Sequence, residues 1–82
     1  MVRTYHETAA FAKTVANLDK KDWERIQKLI QKIIANPMIG KPMRYQRRNT
    51  REVYLKPFRL SYEYETHTDS LILLELYHKR KQ

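Results

Sequence analysis

The sequence contains no cysteine, one glycine, three prolines and no long apolar run. Without cysteine the chain has no disulfide, no thiolate nucleophile and no cysteine-based metal site, which suits a reducing compartment. No stretch approaches the ~20 apolar residues that span a bilayer, and residues 1–7 lack an apolar signal core. These absences predict a cytoplasmic protein that does not enter a membrane.

The length of the chain limits its organisation. With 82 residues it has room for one domain and one modest hydrophobic core. We therefore expect residues 1–82 to form a single domain that carries the whole function.

Basic charge is abundant and unevenly distributed. Seventeen Lys and Arg residues face nine Asp and Glu residues, for a net charge of +8. Six of those charges come from residues 41–60, where seven basic residues accompany only Glu52. This concentration favours a polyanion-binding surface over charge that merely maintains solubility. The candidate RNA-binding residues are Lys41, Arg44, Arg47, Arg48 and Arg51, with Lys79 and Lys81 near the C-terminus.

The first half of the chain predicts a strand followed by two helices. Residues 2–6 form a short β-like run, and Thr8 can cap a helix with an apolar stripe of Phe11, Val15 and Leu18. Asp19 can cap a second helix, which Asn36 and Pro37 end. Its apolar stripe consists of Trp23, Ile26, Ile30, Ile33 and Ile34. The two helices should pack as a hairpin.

The second half predicts three strands, at residues 51–56, 58–65 and 71–78. Apolar and polar residues alternate in the middle strand, so one of its faces should contact the helices. The last strand is apolar on nearly both faces and belongs near the interior of the sheet. The order β-α-α-β-β-β predicts an α+β fold, with an antiparallel-rich sheet and the helix hairpin on one face.

The pleat of these strands predicts a cluster on the open face of the sheet. If Val53 and Leu55 face the core, the opposite face receives basic, phenolic, hydroxyl and carboxylate groups. These residues are Glu52, Tyr54, Lys56, Arg59, Ser61, Glu75 and Tyr77, with His78 and Arg80 at the end of the last strand. Aromatic rings among basic groups can stack on unpaired RNA bases.

Purely structural roles are alternatives for the same residues. Tyr54 and Tyr77 can fill space between strands, and Arg59 can pair with Glu75 or Glu52. The basic residues 78–81 can form a solvated tail.

The available chemistry is metal-free. The three histidines are far apart in sequence, no carboxylate cluster has metal-ligand spacing and no glycine-rich phosphate loop is present, so we expect no metal and no cofactor. Acid–base cleavage of RNA needs a cation for the phosphate, a base and an acid. Arg59 and Lys56 suit the first role. His78 or Tyr77 can act as acid or base, and Glu52 or Glu75 as base.

Two segments carry a family resemblance. Residues 51–62 read REVYLKPFRLSY, and residues 71–80, after a polar turn, read LILLELYHKR. Their order and spacing resemble the RelE/ParE toxin superfamily, in which an aromatic-Arg-Leu strand precedes an apolar strand that ends in basic residues. The N-terminal half, with its helix hairpin and the loop at residues 40–42, is also similar. The resemblance covers essentially the whole chain and extends to the short archaeal RelE-like toxins in particular.

The resemblance implies the toxin of a type II toxin–antitoxin system, which cleaves mRNA in the ribosomal A site. Arg59 matches the arginine that stabilises the transition state, and Tyr54, Lys56 and Arg51 fall near the basic catalytic strand of the family. His78 matches a histidine of several ribosome-dependent members, and Arg80 or Lys79 is near a later arginine. The sequence ends at Gln82 without a match to the C-terminal tyrosine of some members, so Tyr77 and Tyr54 are the candidates for its role.

The same resemblance leaves other functions open. ParE-like members share the fold and inhibit DNA gyrase, and a degenerate toxin would retain only its antitoxin contact. The Lys, Arg and Tyr cluster favours the endoribonuclease. In each case we expect a RelB-like antitoxin, acidic and partly disordered, besides the ribosome and mRNA as partners of the nuclease.

Overall fold

Two helices and five strands make up the part of the chain that the computed structural model describes, residues 2–43 and 49–78. In chain order they are β1 Thr4–Glu7, α1 Ala9–Ala16, α2 Lys20–Ala35, β2 Lys41–Pro42, β3 Thr50–Leu55, β4 Phe58–Glu65 and β5 Ser70–His78. The predicted α+β class is confirmed. The two-residue strand β2 was not predicted, because a single pair of residues leaves no periodic pattern in the sequence.

The ends of both helices follow from local sequence. The hydroxyl of Thr8 accepts a hydrogen bond from the Phe11 amide, and the carboxylate of Asp19 accepts one from the Asp22 amide, so the predicted caps are present. α2 ends at Ala35, just before Pro37. Leu18 lies beyond the end of α1, yet it still packs against the core from the link between the helices.

The strands form one mixed sheet in the order β1-β5-β4-β3-β2. β1 pairs in parallel with β5, and the other neighbours are antiparallel. β5 therefore has a partner along each edge, as its apolar sequence predicted.

The core lies between the helices and one face of the sheet. In β4, the alternate residues Phe58, Leu60, Tyr62 and Tyr64 are buried, as predicted from the alternation. They pack with buried residues of both helices, namely Phe11, Ile26, Leu29, Ile30 and Ile33. In β5, Leu73 pairs with Tyr62 and Glu75 with Ser61, so Leu74 is an extra residue. This bulge keeps Leu71, Leu73 and Leu76 on the core side and places Ile72, Glu75 and Tyr77 on the other side.

A buried tyrosine anchors the segment that enters the sheet. The Tyr62 hydroxyl donates to the Pro37 carbonyl oxygen at 2.7 Å and accepts from the Gly40 amide at 2.9 Å. A Cβ atom on Gly40 would lie 2.5 Å from the Tyr62 hydroxyl oxygen and 2.9 Å from Cβ of Arg51, so only glycine fits. The Arg51 guanidinium donates to the Gly40 carbonyl oxygen at 2.7 Å. The start of β2 is thus fixed against β3 and β4.

Candidate functional site

A row of three side chains crosses the open face of the sheet, which is the face opposite the helices. Arg59 of β4 is directly opposite Tyr54 of β3 on one side and Tyr77 of β5 on the other. Directly opposed residues project from the same face of a sheet, so Arg59 lies between two tyrosines on this face. We call Tyr54, Arg59 and Tyr77 the central row. The structure brings these three sequence-predicted residues together.

A carboxylate links two members of the central row. Glu52 belongs to the neighbouring row, in which Lys41, Glu52, Ser61 and Glu75 are opposite one another on four strands. Oε1 of Glu52 lies 3.7 Å from Nη1 of Arg59. Its Oε2 accepts a hydrogen bond of 3.1 Å from the Tyr77 hydroxyl. Of the two partners suggested for Arg59 from sequence, the structure shows Glu52.

Burial distinguishes the members of this cluster. The side chains of Arg59 and Glu52 are 31% and 26% exposed, whereas Tyr54 is 51% exposed. Ser61 was expected to lie open on this face, but it is buried, because a serine is short and taller side chains flank it on both neighbouring strands. Tyr54 is therefore the ring that an incoming base can reach most easily, while Arg59 and Glu52 are partly shielded from water.

The environment of Tyr77 keeps its phenol protonated. Burial is the main cause that raises the pKa of Tyr77, and the negative charge of Glu52 raises it further. A hydrogen bond involving Arg59 acts in the opposite direction without cancelling the rise. Tyr77 is therefore protonated at neutral pH and has a proton to donate.

Lys56 was predicted at the end of the strand on the open face, but β3 ends at Leu55, so Lys56 lies in the turn that joins β3 to β4. Its side chain is exposed, and its carbonyl oxygen accepts a 2.7 Å hydrogen bond from Nη2 of Arg25 on α2. Arg25 also lies 3.4 Å from a carboxylate oxygen of Asp22. The sequence signals the pairing of residues 22 and 25 within the helix, but nothing in it indicates the contact between α2 and the turn.

His78 and Arg51 lie on the helix side of the sheet. His78 is opposite Phe58, and the two rings meet edge to face with centroids 5.6 Å apart. Arg51 shares the alternation of Val53, and its guanidinium is bonded to the carbonyl oxygens of Met38 and Gly40. Neither residue faces the central row, although both are close to it in sequence. Their roles in catalysis and RNA binding stay predictions.

The remaining predicted residues divide into two groups. Lys41 is exposed on β2, opposite Glu52. Six others lie outside the described residues: Arg44, Arg47, Arg48, Lys79, Arg80 and Lys81. Within residues 2–43 and 49–78, the open face of β2 to β5 carries the acids Glu52, Glu63, Glu65 and Glu75 beside the bases Lys41 and Arg59. The described part of this face is thus less basic than the composition of residues 41–60 indicates.

The described residues, 2–43 and 49–78, show no metal-binding cluster and no membrane-spanning helix. They contain no group of three or more His, Asp or Glu side chains able to hold a metal ion. Neither α1 nor α2 has the length and apolar character needed to cross a bilayer.

The sequence of this chain matches one family of known proteins. A family model described as the ParE toxin of the type II toxin–antitoxin system parDE matches residues 3–82. No curated protein matches the sequence.

Several solved structures share the fold. The isolated RelE toxin of Escherichia coli superposes with a TM-score of 0.79 at 13% identity, covering 92% of this chain and 82% of that one. The toxin–antitoxin complex RelBE2 of Mycobacterium tuberculosis gives 0.80 at 20% identity, covering 95% and 93%. The archaeal RelE–RelB complex of Pyrococcus horikoshii gives 0.77 at 13% identity, covering 100% of both chains. At these identities the similarity establishes the fold.

Proposed function

Because the chain belongs to the ParE toxin family of type II toxin–antitoxin systems, within the RelE/ParE superfamily, we propose that it inhibits translation by cutting mRNA in the ribosomal A site. The observation that carries this proposal is the central row, in which Arg59 lies between two tyrosines on the open face of the sheet. Such a row offers a cation for a phosphate and aromatic surface for an unstacked base.

The reaction is an internal transfer on RNA. The 2′-oxygen attacks the adjacent phosphorus, the bond from phosphorus to the 5′-oxygen breaks, and the products are a 2′,3′-cyclic phosphate and a 5′-hydroxyl. Arg59 stabilises the extra negative charge that develops on the phosphate oxygens. Lys56, exposed in the turn between β3 and β4, adds a second positive charge for the RNA backbone.

Proton transfer completes the chemistry. The Tyr77 phenol, which is protonated at neutral pH and lies on the same face as Arg59, donates its proton to the leaving 5′-oxygen. The 2′-hydroxyl proton needs a base, and the row next to Arg59 offers the carboxylates of Glu52 and Glu75. Tyr54, the more exposed ring, stacks on a base of the message.

An antitoxin is the proposed protein partner. RelB–RelE complexes occur among the solved structures that share the fold, including those of E. coli and M. tuberculosis. The chain's net charge of +8 suits an acidic, partly disordered RelB-like antitoxin that folds as it covers basic surface. The toxin would act in the cytoplasm, where it meets translating ribosomes.

Inhibition of DNA gyrase is the second candidate function. The matching family model describes ParE toxins, and Arg59 is paired with Glu52 instead of standing alone. Loss of supercoiling by gyrase in the presence of the protein, with mRNA left intact, would favour this candidate.

The nuclease proposal is tested on a stalled translation complex. We expect the protein to produce new 5′ ends within the A-site codon, and Arg59→Gln to cut about 10²–10³-fold more slowly because it loses transition-state stabilisation. Arg3→Gln, which removes an exposed positive charge just before β1, is the matched control and should cut normally. An intact message would refute A-site cleavage. Equal cutting by a folded Arg59→Gln variant would refute the role of Arg59.

A further inference from the structure

The guanidinium of Arg59 already has a carboxylate beside it in the free protein. A Glu52 oxygen lies 3.7 Å from Nη1, and the other oxygen of the same carboxylate holds the Tyr77 hydroxyl. Both charged side chains are less than one third exposed, and the buried Ser61 is the direct cross-strand partner of Glu52. Reduced exposure weakens screening by water, so this pair is stronger than an ion pair at the open surface.

An RNA phosphate must therefore compete with Glu52 for the same cation. Both groups carry one negative charge, so a phosphate beside Arg59 is repelled by Glu52 and must share the same positive charge with it. When free RNA binds, the free energy needed to separate Arg59 from Glu52 is subtracted in full from its binding free energy. RNA that is already held by other contacts meets Arg59 at a high effective concentration, so it can displace the carboxylate more easily.

We infer that Glu52 is a specificity-determining residue. Its ion pair with Arg59 discriminates against free single-stranded RNA in favour of RNA that another macromolecule already holds. This inference rests on the proposed function. Because the same carboxylate accepts the hydrogen bond of Tyr77, its displacement releases both side chains together. The phosphate-binding cation and the proton donor thus become available in one step.

Binding of a short single-stranded RNA, measured by fluorescence anisotropy with the full chain, tests the inference. Glu52→Gln keeps the shape and a hydrogen-bond acceptor for Tyr77 but removes the charge. We expect it to bind about fivefold more tightly, which is the factor for loss of a partly exposed ion pair. The salt dependence should steepen by about 0.7 in the log–log slope, corresponding to one additional phosphate contact on a single strand.

Two controls separate this effect from a change in net charge. Glu24→Gln removes one exposed acid from α2, in the helix layer, and should leave RNA affinity nearly unchanged. In an Arg59→Gln background, Glu52→Gln should produce no gain, because the cation it would release is missing. An equal gain in both backgrounds, a gain equal to that of Glu24→Gln, or no gain at all would overturn the inference.

The outcomes for Glu52 and for the proposed nuclease are distinguishable. Binding is measured without cleavage, so an intact message in the stalled complex would refute the nuclease while the binding cycle still decides the role of Glu52. Thermal melting shows whether Glu52→Gln is folded. If it is not, Glu52→Thr, which suits a strand, replaces it in the same cycle with the same expected results.

Discussion

At the scale of single residues, strand register decides which side chains meet. The alternation of β3 and β4 was sufficient to predict that Tyr54 and Arg59 share the open face. Tyr77 was also predicted on this face, but its side depends on the bulge in β5, which the sequence does not show. The contact of Glu52 with both Arg59 and Tyr77 was not predictable, because it depends on how two long side chains bend toward each other across strands. Neither was the course of the Arg51 side chain toward backbone carbonyls, since the sequence shows only a cation in a basic segment.

Tyr77→Phe tests the proposed proton donor. Loss of the hydroxyl should slow A-site cleavage about 10²–10⁴-fold while leaving RNA affinity within about twofold. Because the pKa of the Tyr77 phenol is raised, this group stays protonated at neutral pH, and it should cause no loss of rate between about pH 6 and 9. Single-turnover rates across this range measure both effects. A Tyr77-dependent fall in rate near pH 7 would contradict the assignment.

At the scale of elements, sequence patterns predicted the existence of the strands better than their pairing. β4 lies where it was expected, at Phe58–Glu65, because its apolar and polar residues alternate without interruption. The bulge at Leu74 was hidden in the nearly continuous apolar run of β5, where a shift of alternation leaves no trace. β2 and the parallel pairing of β1 depend on contacts distant in sequence, so local patterns do not contain them.

Tyr62→Phe tests the anchor at the entry to β2. The change leaves the Pro37 carbonyl oxygen and the Gly40 amide without their buried partner, so it should lower the free energy of unfolding by about 1–3 kcal/mol. Urea unfolding at several pH values measures this difference. A loss below about 0.5 kcal/mol would show that the anchor contributes little.

The pH dependence of this difference has a defined sign. Burial is the main cause that raises the pKa of Tyr62, so the phenol is harder to ionise in the folded chain than in the unfolded chain. The resulting stabilisation is complete below the unfolded pKa of about 10 and is lost as the pH rises through the folded pKa. The difference between wild type and Tyr62→Phe should be constant below about pH 10 and shrink above it.

At the scale of the whole molecule, one core joins the helix layer to the sheet. Phe11 of α1 is fully buried, and it belongs to the same cluster as Ile26 of α2 and Leu73 of β5. A small domain buries a modest fraction of its surface, so each large core side chain is a substantial part of its stability. The fold class was predictable because the apolar stripes of the helices and strands all indicate this one interface.

Phe11→Ala should remove about 3–5 kcal/mol of stability by leaving a cavity in this core. For a chain of this size, the melting temperature should fall by at least about 12 °C. Lys13→Ala, an exposed change on the same helix, should alter stability by less than about 0.5 kcal/mol. Comparable melting of both variants would show that α1 is not part of the cooperative core.

The adjacency of β1 and β5 also determines when the chain can finish folding during its own synthesis. The hydroxyl oxygens of Thr4 and Ser70 lie 3.2 Å apart although 66 residues separate them along the chain. β1 therefore has no strand to pair with until β5 has left the ribosome, and closing so long a loop makes this a late event in folding. Tyr77 is on that same last strand, so a ribosome that is still producing the chain faces a protein whose central row is not yet assembled.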